Sequence, residues 1–108
     1  MYRQGDILLL PVDEGAVPVG VTGLPAKPRD GRGRIVLALG EVTGHAHAVV
    51  GAGTLFLDPE PTTIGHLKLD APTRLVHEEH ATISLPKGWY KVVRQREYIP
   101  GAVRIIAD

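Results

Sequence analysis

The sequence predicts an all-β fold, either a small barrel or a sandwich of about eight short strands. Glycine and proline, with 13 and 9 residues among 108, interrupt the chain too often for long helices. Short apolar segments recur between these turn signals, and no stretch of helical length carries helical periodicity. The length fits one domain, residues 1–108, with a Pro/Gly-rich loop at 13–33.

Each predicted strand is a short run of apolar or β-branched residues that ends near a glycine, proline or aspartate, the residues typical of turns. The first contains the apolar run Ile7–Leu10 and has a turn signal at Gly5-Asp6. The segment 13–33 holds too many prolines and glycines for a strand and is predicted to be an irregular loop. In chain order, strands are predicted at 2–12, 34–42, 45–50, 54–57, 64–69, 73–85, 89–98 and 103–107.

Composition excludes several functional classes. Twelve basic residues balance twelve acidic ones, so no net field draws the chain toward nucleic acid or membrane. The chain has no cysteine, which excludes disulfides and thiolate zinc sites and fits a cytoplasmic location. The apolar run near the N-terminus is too short for a transmembrane helix. We therefore expect a cytoplasmic protein with no membrane partner.

Two histidines, His45 and His47, alternate with alanines on a predicted strand. Residues two apart on a strand point to one face, with Cα atoms roughly 6.5–7 Å apart. Their imidazoles can therefore supply two ligands to one metal ion. The alternative is a pair of half-buried or surface histidines beside the bend at Gly44.

A second cluster is His77-Glu78-Glu79-His80. It is not the helical zinc-protease motif, because the histidines are three apart in a predicted strand. On a regular strand His77 and Glu79 would share the apolar face, where an ionisable pair is costly unless it is paired or metal-bound. Both histidines could reach one ion only if the chain bulges. The alternative is a solvated acidic edge.

Together the two clusters predict a site for a divalent metal: Zn²⁺, Mn²⁺, Fe²⁺ or Ni²⁺. Glu79 would be a further ligand or a general base in hydrolysis. The fifth histidine, His66, stands apart and is predicted to lie at the surface. The candidate metal ligands are the four clustered histidines: His45, His47, His77 and His80.

The segment before the C-terminus suggests a different function. Arg94, Arg96 and Tyr98 fall on one face of a predicted strand, where they could hold phosphates and stack a base. The alternative is a solvated strand face, or arginines paired with Glu78 and Glu79, and the low aromatic content of 5% and the zero net charge favour this alternative. These three residues are the candidate nucleic-acid contacts.

Five segments carry a resemblance that covers nearly the whole chain: YRQGDILL at 2–9, GEVTGHAH at 40–47, HEEH at 77–80, LPKGWYKV at 85–92 and RQREY at 94–98. With them, the sequence resembles an uncharacterised family of small bacterial proteins. The resemblance implies a bacterial or phage-like source and carries no activity or catalytic residues. The His-x-His strand is also similar to the metal strand of cupins, although the remainder of the cupin pattern is not clearly present.

Three functional hypotheses follow. The first is a metal-binding β-barrel protein, with hydrolysis as one possible activity. The second is an RNA-binding module, or one that cleaves RNA without metal, in which two histidines act as acid and base and Arg94 or Arg96 stabilises the phosphorane. The third is a structural or accessory module without chemistry. Homo-oligomerisation through edge strands is compatible with all three.

Overall fold

The computed structural model describes residues 1–40, 42–61, 63–95, 97–99 and 102–104, and for the last two ranges it describes the backbone alone. Within these ranges there are eleven strands and no α-helix. The strands are β1 (Tyr2–Gln4), β2 (Ile7–Val12), β3 (Ile35–Leu39), β4 (Ala46–Val49), β5 (Gly53–Leu57), β6 (Thr63–Leu69), β7 (Thr73–Val76), β8 (Ile83–Leu85), β9 (Gly88–Arg94), β10 (Glu97–Ile99) and β11 (Ala102–Arg104).

Two antiparallel sheets form the body of the fold. One has five strands in the order β1-β2-β9-β6-β5, and the other has four in the order β3-β4-β7-β8. Strands β10 and β11 pair with each other as a separate hairpin. The prediction of an all-β fold is confirmed. Because the sheets do not close into a barrel, the fold is sandwich-like.

The core draws on both sheets. In β2, for example, Ile7 and Leu9 point to it and alternate with less buried neighbours, as the period of two along a strand requires. Each fully buried aliphatic side chain contributes roughly 1.5–3 kcal/mol by leaving water. The principal buried residues are Ile7, Leu9, Ile35, Leu37, Val49, Leu55, Leu67, Leu69, Leu75, Leu85, Tyr90 and Val92.

The segment 13–33 contains no strand, as the sequence predicts, and forms two short 3-10 helices, Glu14–Ala16 and Val21–Gly23. Its later part follows the edge strand β5. The N–H of Lys27 donates to the carbonyl of Leu55 (2.9 Å), and the N–H of Leu57 donates to the carbonyl of Pro25 (2.8 Å). These bonds satisfy backbone groups at an edge that would otherwise face solvent.

Two predicted strands divide at breaks that shape the candidate site, and a third, predicted over 89–98, divides into β9 and β10 with Gln95 outside both. The first divides at Gly5, whose φ of +60° makes a tight turn between β1 and β2. For the second, the prediction of one continuous strand over 73–85 is wrong in its middle. Residues 77–82 form a loop between β7 and β8, so His77-Glu78-Glu79-His80 lies outside the strands.

Within the described ranges, no helix has the length and hydropathy that crossing a membrane requires.

Candidate metal centre

The structure brings the four clustered histidines together at one end of the four-stranded sheet. His77 occupies the centre: its ring centroid lies 4.4 Å from that of His47, 4.6 Å from that of His80 and 5.5 Å from that of His45. The rings of His47 and His80 stack with centroids 5.8 Å apart. The two sequence clusters therefore form one spatial cluster.

Strand pairing explains this convergence. Strand β4 pairs with β7 through Ala48 and Val76, so the chain leaving β7 enters the loop beside the start of β4. The loop is held there by Glu78, whose Oε1 accepts the N–H of Ala46 (2.8 Å). That backbone hydrogen bond is the main reason why the pKa of Glu78 is lowered. Although His45 precedes the first residue of β4, its ring still contacts that of His77.

Gln4 holds the ring of His47 in one orientation. The Gln4 side chain is buried, and its Nε2 donates to the carbonyls of Leu75 (3.1 Å) and Ala81 (3.0 Å). Its Oε1 therefore faces His47 Nδ1 at 2.9 Å. An amide oxygen only accepts, so His47 Nδ1 carries the hydrogen. The lone pair of the neutral ring is consequently on Nε2.

Burial keeps His47 neutral. The residue is only 2% exposed, and burial is the largest cause that lowers its pKa to about 4. The neighbouring His77 lowers this pKa further, while the carboxylate of Asp6, 3.9 Å from Nε2, acts in the opposite direction. At neutral pH His47 is therefore the uncharged imidazole that a metal ion requires.

One side of the cluster faces Gly5, and we call it the Gly5 side. A Cβ at Gly5 would stand 3.0 Å from His80 Nε2 and 3.5 Å from His47 Nε2. The next residue, Asp6, directs Oδ1 toward His47 and Oδ2 toward Arg94 Nε, at 3.2 Å. Because Gly5 has no Cβ, the rings of His80 and His47 can lie close against its backbone, and the Asp6 carboxylate lies beside His47.

The opposite side faces Gly40, and we call it the Gly40 side. A Cβ at Gly40 would stand 2.9 Å from His77 Nε2 and 3.0 Å from the Cβ of His45. One potential ligand atom from each of His45, His77 and Glu78 lies within 4.8 Å of the others. Distances alone would therefore allow a second set of metal ligands here. Burial is the main cause of a lowered pKa of His77.

Of the remaining predicted site residues, Glu79 and Arg94 lie beside the histidine cluster. Glu79 is at the mouth of the cluster, 64% exposed at its side chain, with Oε1 3.8 Å from His45 Nδ1. Arg94 joins the cluster through Asp6 and also donates to the carbonyl of Leu39 at 3.2 Å. Arg96 and the side chain of Tyr98 lie outside the described residues.

Sequence reasoning missed Gln4 and Asp6 as members of the site. Both flank the turn at Gly5, and the Gly5-Asp6 turn signal was the only local indication that polar side chains gather there. Their partners Leu75, Ala81 and His47 are more than 40 residues away in the chain. No local pattern reports such contacts.

The prediction that His66 lies at the surface is wrong. His66 is 5% exposed on β6, directly opposite Phe56 on β5 and Lys91 on β9. Its Nδ1 is buried without a hydrogen-bond partner in the described part of the chain, and Asp58 Oδ2 is 3.9 Å away. The alternating pattern of β6 reveals only one buried face, yet the structure buries this histidine on the other.

In a comparison with protein families, residues 3–95 match the family described as Domain of unknown function (DUF8820). This agrees with the resemblance to a family without a known activity, although it does not test the individual motifs. No curated protein and no solved structure matches the chain.

Proposed function

The chain belongs to the family described as Domain of unknown function (DUF8820), and we propose that this domain binds one divalent transition-metal ion in its histidine cluster. The convergence of four imidazole rings, with neighbouring centroids 4.4–5.8 Å apart, is the observation that supports the proposal. Neutral imidazoles packed this closely bring nitrogen lone pairs together, which is unfavourable unless a proton or a metal ion shares them. Imidazole ligands with a carboxylate suit Zn²⁺, Mn²⁺, Fe²⁺ or Ni²⁺.

Elemental mass spectrometry on untagged, metal-loaded and desalted protein tests the proposal. We expect near-stoichiometric metal in the wild type and none in the double variant His45→Ala/His47→Ala. His66→Leu is the matched control, because it removes a buried histidine outside the cluster and should leave the metal content unchanged. A wild-type protein that retains none of the four metals would refute the proposal.

A hydrolytic form of the proposal assigns Glu79 the role of general base. Its carboxylate is exposed at the mouth of the cluster, beside His45, where it can exchange protons with water. A bound metal ion would supply a water nucleophile at neutral pH. Glu79→Gln should keep the metal and lose hydrolysis of activated phosphate and carboxylate esters. Equal rates in Glu79→Gln and wild type would remove Glu79 from this role.

A second candidate function is RNA binding, with or without cleavage by the histidines. The position of Arg94 favours it, because Arg94 and His47 contact the two oxygens of the same carboxylate, Asp6. An arginine beside a histidine pair could hold a phosphate during acid–base cleavage. Salt-dependent retention on RNA in the presence of a chelator, lost on changing Arg94 and Arg96, would support this function. No retention at low salt would end it.

A further inference from the structure

We propose that the metal ion binds on the Gly5 side of the cluster, held by His47 Nε2, His80 Nε2 and the Asp6 carboxylate, with Gln4 as a positioning residue. This inference rests on the proposed function, and it selects one ligand set from the several that the four histidines allow. Three protein ligands would leave the fourth position of a tetrahedral ion open for a water or a substrate.

The first argument for this ligand set comes from the hydrogen bonds of Gln4. Both amide hydrogens are committed to the carbonyls of Leu75 and Ala81, so the amide cannot flip without breaking two buried hydrogen bonds. The tautomer of His47 is therefore fixed before any ion arrives. Metal-binding histidines characteristically donate their other N–H to an oxygen in this way, and the partner orients the ring.

The second argument comes from the arrangement of the three donor atoms near Gly5. Zinc–nitrogen bonds of about 2.0–2.1 Å place neighbouring ligand atoms of a tetrahedral site roughly 3.3 Å apart. His47 Nε2 and Asp6 Oδ1 are 3.9 Å apart, so a small closure would bring both onto one ion. The third donor, His80 Nε2, lies 3.0 Å from the Cβ position of Gly5, against 3.5 Å for His47 Nε2, so both nitrogens are close to the same point. The His80 ring, which makes no hydrogen bond within the described residues, would have to rotate to bring Nε2 onto the same ion.

The hydrogen bonds of His77 exclude it from the ligand set. Its Nδ1 accepts the backbone N–H of Glu79 at 3.0 Å and, more weakly, that of His80 at 3.4 Å. An imidazole that accepts at Nδ1 carries its hydrogen on Nε2 in the neutral form. Since Nε2 then has no lone pair to offer, the His77 ring cannot ligate without releasing the turn that it holds. The close distances to His45 and Glu78 on the Gly40 side are therefore not a metal site.

Single-histidine variants test this ligand set by calorimetric Zn²⁺ titration. We expect His47→Ala and His80→Ala to abolish stoichiometric binding. His77→Asn should retain it, because the Asn side-chain oxygen can still accept the N–H two residues on and preserve the turn. Retention by His80→Ala together with loss in His77→Asn would overturn the proposal and place the ion on the Gly40 side.

Glycine variants test the position of the ion without removing a ligand. Gly5→Ala places a Cβ 3.0 Å from the His80 ring and 3.1 Å from the His47 ring, so it should displace both ligands and abolish binding. Gly33→Ala is the matched control: Gly33 has a similar positive φ, +75° against +60°, but nothing lies within 4 Å of its Cβ position. Gly40→Ala fills the Gly40 side and should keep the affinity within about threefold, less than 1 kcal/mol. Unchanged binding in Gly5→Ala, or abolished binding in Gly40→Ala, would refute the assignment.

Gln4→Met tests the positioning role, since it keeps an apolar chain of similar length and removes the amide. We expect Zn²⁺ to bind about 10–100-fold more weakly, the usual effect of losing such an orienting partner. In ¹⁵N spectra of the metal-free protein, the His47 hydrogen should be confined to Nδ1 in the wild type and shared between both nitrogens in the variant. A purely structural Gln4 would leave the tautomer unchanged, and that result would refute its positioning role. Absence of metal from the wild type would refute the proposed function itself.

Discussion

Lowering the pH should destabilise this protein through His47. The folded protein takes up a proton at His47 only near pH 4, whereas an unfolded histidine does so near pH 6.5. Between these values the unfolded state binds more protons, so the free energy of unfolding falls as the pH falls. The contribution is fully present above about pH 6.5. At 1.36 kcal/mol per unit of pKa, about 3 kcal/mol should be lost between pH 7 and pH 4.

Urea denaturation across this pH range, with a chelator present, measures the effect. The comparison is with His47→Gln, which cannot titrate and retains an amide that can donate to Gln4. Glu78 and His77 also have lowered pKa values, but both proteins contain them, so their contributions cancel in the difference. The two stability curves should converge by about 3 kcal/mol from pH 7 to pH 4. Parallel curves would show that His47 does not titrate in a buried, desolvated site.

Three further predictions concern stability at neutral pH. His66→Leu should raise the free energy of unfolding, measured by urea denaturation, by about 1–3 kcal/mol, because it removes a buried nitrogen without a hydrogen-bond partner. A lower free energy of unfolding in the variant would show that this nitrogen is hydrogen-bonded in the native protein. Gly65→Ala should cost more than about 2 kcal/mol, since its Cβ would clash with the backbone carbonyl oxygen of Phe56 on β5. Gly15→Ala, which has open space around its Cβ position, should change stability by less than about 0.5 kcal/mol. Tyr90→Phe removes the 2.6 Å hydrogen bond to the carbonyl of Pro86, so it should lower the free energy of unfolding by about 0.5–1.5 kcal/mol and the thermal midpoint with it. An unchanged thermal midpoint would contradict this prediction.

The fold could be predicted from the sequence because most of its turns are marked locally. Proline and glycine occur where strands end, as at Gly51 before β5 and at Pro86 before β9. Between these marks, the alternation Leu67-Lys68-Leu69 identifies the buried face of β6, whereas the uniformly apolar run of β2 does not distinguish its two faces. Whether the two sheets close into a barrel depends on pairing between distant strands. No single stretch of the sequence specifies that pairing.

The loop at 77–82 shows why part of the site could not be predicted. The apolar residues at Leu75, Ile83 and Leu85 keep a period of two across the loop, so the sequence reads as one strand. The turn that His77 holds is local, but the contacts that fix the loop against the rest of the fold are not. Glu78 accepts a hydrogen bond from Ala46, and the carbonyl of Ala81 accepts one from Gln4. The sequence singled out the four histidines that lie together, but not the hydrogen bonds that orient them.

The same hydrogen bonds imply that metal binding and folding stability are coupled. The proposed ligands come from the β1–β2 turn, from β4 and from the loop at 77–82, three segments that the buried side chain of Gln4 already links. An ion bound to all three segments would connect them a second time. Because the unfolded chain does not assemble these ligands, free metal at 100 times its dissociation constant would add about 2.7 kcal/mol to stability. Asp6 would also exchange part of its interaction with Arg94 for one with the ion, so metal binding would weaken the ion pair that joins the β1–β2 turn to β9.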